Sequence, residues 1–101
     1  MTDPVCALPD IPDGGTRVVE HKGRQIALVR VNGEVFALAN TCPHKDGPLG
    51  EGIVSTKRHE IICPWHRFRF DLRTGKCVTY EKMAARTYPV TVRDNQVFVQ
   101  V

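Results

Sequence analysis

Cys42-Pro43-His44, a spacer over residues 45–62, and Cys63-Pro64-Trp65-His66 form the stretch that decides how this chain is read. Each short segment offers one thiol and one imidazole, and each is stiffened by a proline directly after its cysteine. In extended backbone, side chains two apart point the same way, so Cys42 and His44 can reach into one cavity. In Cys63-Pro64-Trp65-His66 the proline stands second in a four-residue turn, which brings Cys63 and His66 together. Two such loops facing each other can hold a metal centre. No other group of residues in the chain reads as active chemistry.

The sequence around this stretch predicts strands. Upstream, Val5 to Ile11 reads as a short apolar strand at a sheet edge, since Pro9 cannot donate to a ladder. Pro12-Asp13-Gly14-Gly15 is a turn, Thr16 to His21 a strand, and Lys22-Gly23 a turn into Arg24 to Val31. There Ile26 and Leu28 alternate with Ala27 and Val29, the pattern of a strand with a core on one side. Asn32-Gly33 is the strongest two-residue hairpin signal, because both residues accept positive φ, and Glu34 to Ala39 is the return strand. Between the two ligand segments, Ile53-Val54 and Glu60-Ile61-Ile62 flank a polar tip over residues 55–58. Downstream, Asp71 to Gly75 is a turn, Lys76 to Tyr80 a strand, and Glu81 to Ala85 a helical turn or coil. In the last hairpin Tyr88, Val90 and Val92 alternate, Asp94-Asn95 turns, and Val97, Val99 and Val101 alternate on return. The class is all-β, without repeats or a long amphipathic helix.

At 101 residues, 42% hydrophobic and 25% charged, the composition fits one soluble globular domain with a modest core. No apolar run approaches the ~20 residues that span a bilayer, and Met1-Thr2-Asp3-Pro4 has neither the basic nor the apolar part of a secretory signal. A cytoplasmic location without membrane attachment is the expectation. The net charge of +3 is small and scattered, which argues against a nucleic-acid partner. In such a chain a Cys/His cluster points to metal before a disulfide framework. Cys6 and Cys77 lie outside the motif and read as plain buried thiols. His21 and His59 have no partner spacing and read as surface residues, and Trp65 as a packing wall beside the metal. Lys45, Arg67 and Arg69 flank the ligand positions and can either steer an acidic partner or form a solvated basic surface. By ligand type alone, two Cys and two His suit a single tetrahedral zinc as well as an iron–sulfur cluster.

The fuller pattern resembles the Rieske iron–sulfur proteins. Their Cys-x-His, spacer, Cys-x-x-His motif is filled by Cys42, His44, Cys63 and His66. Leu49 and Gly52 after the first loop, Trp65 and Phe70-Asp71-Leu72-Arg73-Thr74-Gly75 after the second, and Tyr88-Pro89-Val90 extend the likeness over most of the chain. The spacer is slightly longer than is commonest, at the Thr56-Lys57 tip. The resemblance implies a Rieske-like antiparallel β-sandwich with an inserted loop-rich cluster-binding subdomain. It divides residues 1–101 into a basal β part, about 1–39 and 71–101, and a cluster-binding part, about 40–70. It implies one [2Fe-2S] cluster per chain, with Cys42 and Cys63 on one iron and His44 and His66 on the other, the histidines outermost. Neutral imidazole donates less charge than thiolate, so two histidines on one iron raise the potential, to roughly −150 to +300 mV across the class. High-potential relatives add an inter-loop disulfide and hydroxyl donors. The corresponding positions here are Gly47 and Trp65, and Phe68 and Phe70, which implies the low end of the range. Where relatives place prolines, this chain has Tyr80 to Ala85. That loop is expected to cover the cluster with Met83 as an apolar lid.

Neither a glycine-rich dinucleotide fingerprint nor a two-His-one-carboxylate site is present. The chain looks like a ferredoxin of the multicomponent aromatic-ring oxygenases, not catalytic alone. A monomeric carrier is expected to dock transiently, at the His44/His66 edge, on an NADH-dependent flavin reductase and on a terminal oxygenase. Its basic balance departs from the many acidic members. Two other readings stand beside it: the small subunit of an assimilatory nitrite reductase, and a zinc-stabilised interaction module. Metal analysis separates the last: the purified protein is expected to be brown, with iron and acid-labile sulfide, and a colourless protein holding only zinc contradicts the cluster.

Overall fold

Two tight turns organise the centre of the molecule. Lys22-Gly23 and Asn32-Gly33 all take positive φ, at 52°, 78°, 52° and 82°, the conformation whose twist suits the strands it joins. The structure, a computed structural model, describes residues 3–41, 48–65, 67–80 and 82–100. Its strands are β1 (Cys6–Ala7), β2 (Thr16–His21), β3 (Arg24–Val31), β4 (Glu34–Ala39), β5 (Ile53–Ser55), β6 (Glu60–Ile62), β7 (Arg69–Asp71), β8 (Thr87–Tyr88), β9 (Val90–Arg93) and β10 (Gln96–Val99). All pairings are antiparallel and make three sheets, ordered β2-β3-β4-β8, β1-β10-β9 and β5-β6-β7. The two turns fix the register, with His21 opposite Arg24 and Val31 opposite Glu34.

The four-stranded sheet carries apolar side chains on both faces. On one, Ile26 and Leu28 of β3 pack with Val35 and Ala37 of β4 and with Val97 and Val99 of β10. On the other, Val29 and Val31 pack with Leu38, Leu49, Ile61 and Phe70. The alternation along β3 therefore does not separate core from solvent: Ile26, Ala27, Leu28 and Val29 are all fully buried. A strand covered on both faces reads as a continuous apolar run, and β3 separates two cores. One core lies beneath the β1-β10-β9 sheet; the other lies beneath the β5-β6-β7 sheet and its loops.

Other elements differ from the sequence reading. Only Cys6–Ala7 of the opening segment is strand. Leu8–Asp10 winds into a 3-10 turn, in which Asp10 Oδ2 accepts the Ala7 N–H at 3.1 Å and Arg30 Nη1 donates to the Ile11 carbonyl at 3.0 Å. The edge position of that segment is as expected. Lys76 to Tyr80 is not a strand. Lys76 and Cys77 make isolated bridges to Ala84 and Phe70, and the chain then bends. Gly75, at φ 79°, sets that path, because a side chain there would collide with the Ala85 carbonyl oxygen. Lys82 to Ala85 takes the coil form of the expected helical turn or coil, and Glu81 lies outside the described residues. Tyr88 pairs with Ala37 in the central sheet, whereas Val90 opens β9 in another. Pro89 between them has no N–H to continue either ladder. Asp94 and Asn95 turn as expected, at φ 53° and 61°; Val101 lies outside the described residues.

Leu28→Ala is expected to destabilise the fold by roughly 2–5 kcal/mol, the range for truncating a fully buried leucine. Val18→Ala, at a side chain 41% exposed on the edge strand β2, is expected to stay within about 1 kcal/mol. Urea unfolding of the two variants checks the contrast.

Candidate metal centre

Cys63 leaves the end of β6 with its side chain fully buried, in the apolar group that holds Ile61, Phe70 and Leu72. Its N–H donates to the Phe68 carbonyl at 2.7 Å, which closes a loop over residues 64–67. Exposure rises outward along that loop: Pro64 and Arg67 are exposed, and Trp65 is 48% exposed. Arg67 takes φ 56°, uncommon for a residue with a side chain, and turns the chain back into β7. Cys63 thus lies inside while Pro64, Trp65 and Arg67 lie at the surface.

The chain is pinned on either side of residues 42–47. Thr41 bridges Pro48. Leu49 donates its N–H to the Asn40 carbonyl at 2.7 Å, and Gly50 donates to Asn40 Oδ1 at 2.7 Å. Leu49–Glu51 then forms a single 3-10 turn ending at Gly52. Cys42, His44 and His66, together with Pro43 and Lys45 to Gly47, lie outside the described residues.

Gly52 joins the two stems. A Cβ at that position would collide with the carbonyl oxygen of Ile62, the residue before Cys63. Only glycine allows the first loop's exit to press this closely on the second loop's root. A cleft of ≈ 260 Å³ opens against the same root, between Ile53, Ile62, Pro64 and Arg67.

Several expected roles change. His21 and His59 are half-buried, not surface residues: His21 Nε2 is sealed from solvent, and the His59 ring meets Phe36 edge-on at 6.1 Å. Cys77 is buried as expected and accepts the Tyr80 N–H at 3.3 Å. Cys6 is half-buried, and burial pushes its thiol pKa up, against the lowering effect of Arg17. Arg69 is not a bare docking cation, because it pairs with the buried Glu60 at 3.6 Å. Trp65 is 48% exposed on the loop that follows Cys63. Met83 is partly buried against the apolar group that includes Cys63 and Phe68, and its carbonyl accepts the Cys77 N–H at 2.9 Å.

Residues 3–100 match the sequence profile of the Rieske-like [2Fe-2S] domain. This chain belongs to that family. It is 37% identical over 96% of its length to the 3-phenylpropionate/cinnamic acid dioxygenase ferredoxin subunit of Photorhabdus laumondii, of which 91% is covered. It is 40% identical over its whole length to the ferredoxin component of the p-cumate 2,3-dioxygenase system of Pseudomonas putida, of which 88% is covered. The Rieske-like fold likewise superposes on the ferredoxin of carbazole 1,9a-dioxygenase from Nocardioides aromaticivorans IC177, with TM-score 0.92, 29% identity and coverage of 98% and 96% of the two chains. In a solved complex of reduced oxygenase and oxidized ferredoxin from carbazole 1,9a-dioxygenase, the matched chain is covered completely, with 97% of this chain, at TM-score 0.87 and 29% identity. A protein described as a nitrite reductase NADPH small subunit superposes with TM-score 0.88 at 27% identity, over 100% and 99% of the chains.

The described part of the Rieske-like site fits a [2Fe-2S] cluster. Cys63 offers a soft sulfur donor at the root of an exposed loop tip, inside an apolar group that would shield a bound cluster from solvent. Asn40, Gly50 and Gly52 are the contributors that sequence reasoning missed as a unit. Their signal was a polar residue ending an apolar strand, then glycines too closely spaced for a flexible linker alone. Gly52→Ala is expected to destabilise the protein by about 1–3 kcal/mol through overpacking and to lower the iron bound per chain. Unfolding and iron determination on the same preparation test this.

Proposed function

We propose that this chain is a soluble one-electron carrier that takes electrons from an NADH-dependent flavin reductase and delivers them to the terminal oxygenase of an aromatic-ring-hydroxylating system. The observation that carries this reading is that its dioxygenase relatives are ferredoxin components, matched over 88% and 91% of their own lengths. The solved oxygenase–ferredoxin complex supports the oxygenase as the kind of partner.

In this reading Cys42 and Cys63 hold one iron, and His44 and His66 the other, in one cluster per chain. The bound cluster supplies a one-electron couple. The protein's part is to bury the Cys63 thiol, keep the 64–67 tip at the surface, and meet both partners at the His44/His66 edge. The basal part, about 1–39 and 71–101, carries the cluster-binding part, about 40–70, and Met83 with its loop covers the site. Electron transfer between successive partners needs only a small, transient interface. We read the protein as a cytoplasmic monomer that binds neither nucleic acid nor membrane. Among the described residues, no helix is long and apolar enough to cross a bilayer.

Phe68 and Phe70 offer no hydroxyl, and Gly47 and Trp65 no disulfide, so nothing at these positions stabilises the more negative reduced state. A potential at the low end of the Rieske range follows, and a redox titration with a strongly positive midpoint contradicts it. His44→Cys or His66→Cys is expected to lower the midpoint further, or to lose the cluster. Unchanged spectra in either variant remove that histidine from the metal. The fold-level likeness to a nitrite reductase small subunit favours one alternative, a permanent subunit of a large enzyme. Co-purification decides between them: a brown protein running free supports the carrier, and a stable large complex supports the subunit.

A further inference from the structure

Asn40 is a buried polar residue that ends the stem of the first ligand loop, and it is 9% exposed. Its backbone N–H donates to the Gln25 carbonyl at 3.0 Å, and its Nδ2 donates to Gln25 Oε1 at 3.4 Å. Its carbonyl accepts from Leu49 at 2.7 Å and its Oδ1 accepts from Gly50 at 2.7 Å. On one side, then, Asn40 is held to Gln25, near the start of β3. On the other it grips the chain just past the first ligand segment. Position 50 admits no larger residue: a Cβ there would meet Val18 and would stand 2.7 Å from Asn40 Oδ1. Thr16 Oγ1 donates to the Gly50 carbonyl at 2.5 Å from the other side. Two residues on, Gly52 presses against Ile62, next to Cys63.

We propose that Asn40 is a positioning residue for the cluster: its side-chain oxygen, by holding the Gly50 N–H, sets where the first ligand loop stands relative to the second. This rests on the reading above, in which Cys42 and His44 bind metal. The side chain acts through Gly50 and Gly52. A buried hydrogen bond to a backbone amide that loses its acceptor leaves the amide unsatisfied, and the first loop then shifts against the second. A four-ligand site shared between two loops loses metal faster when their separation drifts. Aspartate keeps the acceptor for the Gly50 N–H, and the exposed Gln25 amide can turn to donate to its other oxygen, so aspartate substitutes for asparagine in this role and leucine does not.

The test compares holoprotein forms of wild type, Asn40→Asp and Asn40→Leu. Cluster loss is followed as bleaching of the visible absorbance under anaerobic chelator, with EPR of each reduced protein beside it. Asn40→Leu is expected to lose its cluster at least about fivefold faster than wild type, with shifted or broadened EPR features. Asn40→Asp is expected to stay within about twofold in rate and to keep the wild-type line shape. Equal rates and identical spectra in all three overturn the proposal, as does an aspartate variant that bleaches as fast as the leucine one. Should Asn40→Leu fail to fold, the aspartate variant decides alone: a folded chain that has lost its cluster overturns the role. A wild-type protein without the mixed-ligand EPR signal defeats the underlying ligand reading instead, and so separates the two failures.

Discussion

The close approach of Gly52 to the Ile62 carbonyl is the constraint on which the rest of the site depends. It places the chain that follows residues 42–47 against the root of the Cys63 loop, with no side chain between them. Each loop is closed independently behind that contact, the first by the Thr41–Pro48 bridge and the Asn40 hydrogen bonds, the second by Cys63 N–H to Phe68. Backbone hydrogen bonds of this kind contribute only about 1 kcal/mol each. Their use is geometric: they leave each loop one way to leave the sheet.

The central sheet explains how so small a chain supports such loops. With one apolar face it would form a single two-layer core. With two, β3 and β4 serve as a partition, and the β1-β10-β9 sheet covers the face away from the loops. The other face is left for Leu49, Ile61, Phe70 and Cys63. The thiol therefore sits in the core of the protein while its loop tip sits at the surface. An electron carrier needs both conditions, because the cofactor must be retained and its edge must still be reached.

Much of this was legible in the sequence, and for local reasons. Asn32-Gly33, Lys22-Gly23 and Asp94-Asn95 demand positive φ, which fixes three turns and with them β2, β3, β4, β9 and β10. The Cys/His spacing together with the flanking Phe70 to Gly75 carries the family resemblance in the sequence itself. Where the reading fell short, tertiary context had overridden local pattern. The run from Ile26 to Val29 fits one buried face or two, and only the second core decides. Lys76 to Tyr80 has the composition of a strand, yet the Gly75–Ala85 approach leaves it with isolated bridges. Leu8-Pro9-Asp10 is apolar enough for a strand, but the Asp10 carboxylate and Arg30 fold it into a turn. The roles of Asn40 and the sealed edge of His21 depend on partners far away in sequence, which periodicity cannot show.

The central claim is that two imidazoles and two thiolates of this chain share one pair of iron atoms. Pulsed EPR of the reduced protein, grown with ¹⁵N-labelled histidine, tests it most directly. The account predicts two strongly coupled histidine nitrogens on the same reduced centre. A reduced centre with no strongly coupled histidine nitrogen, or with one, contradicts it.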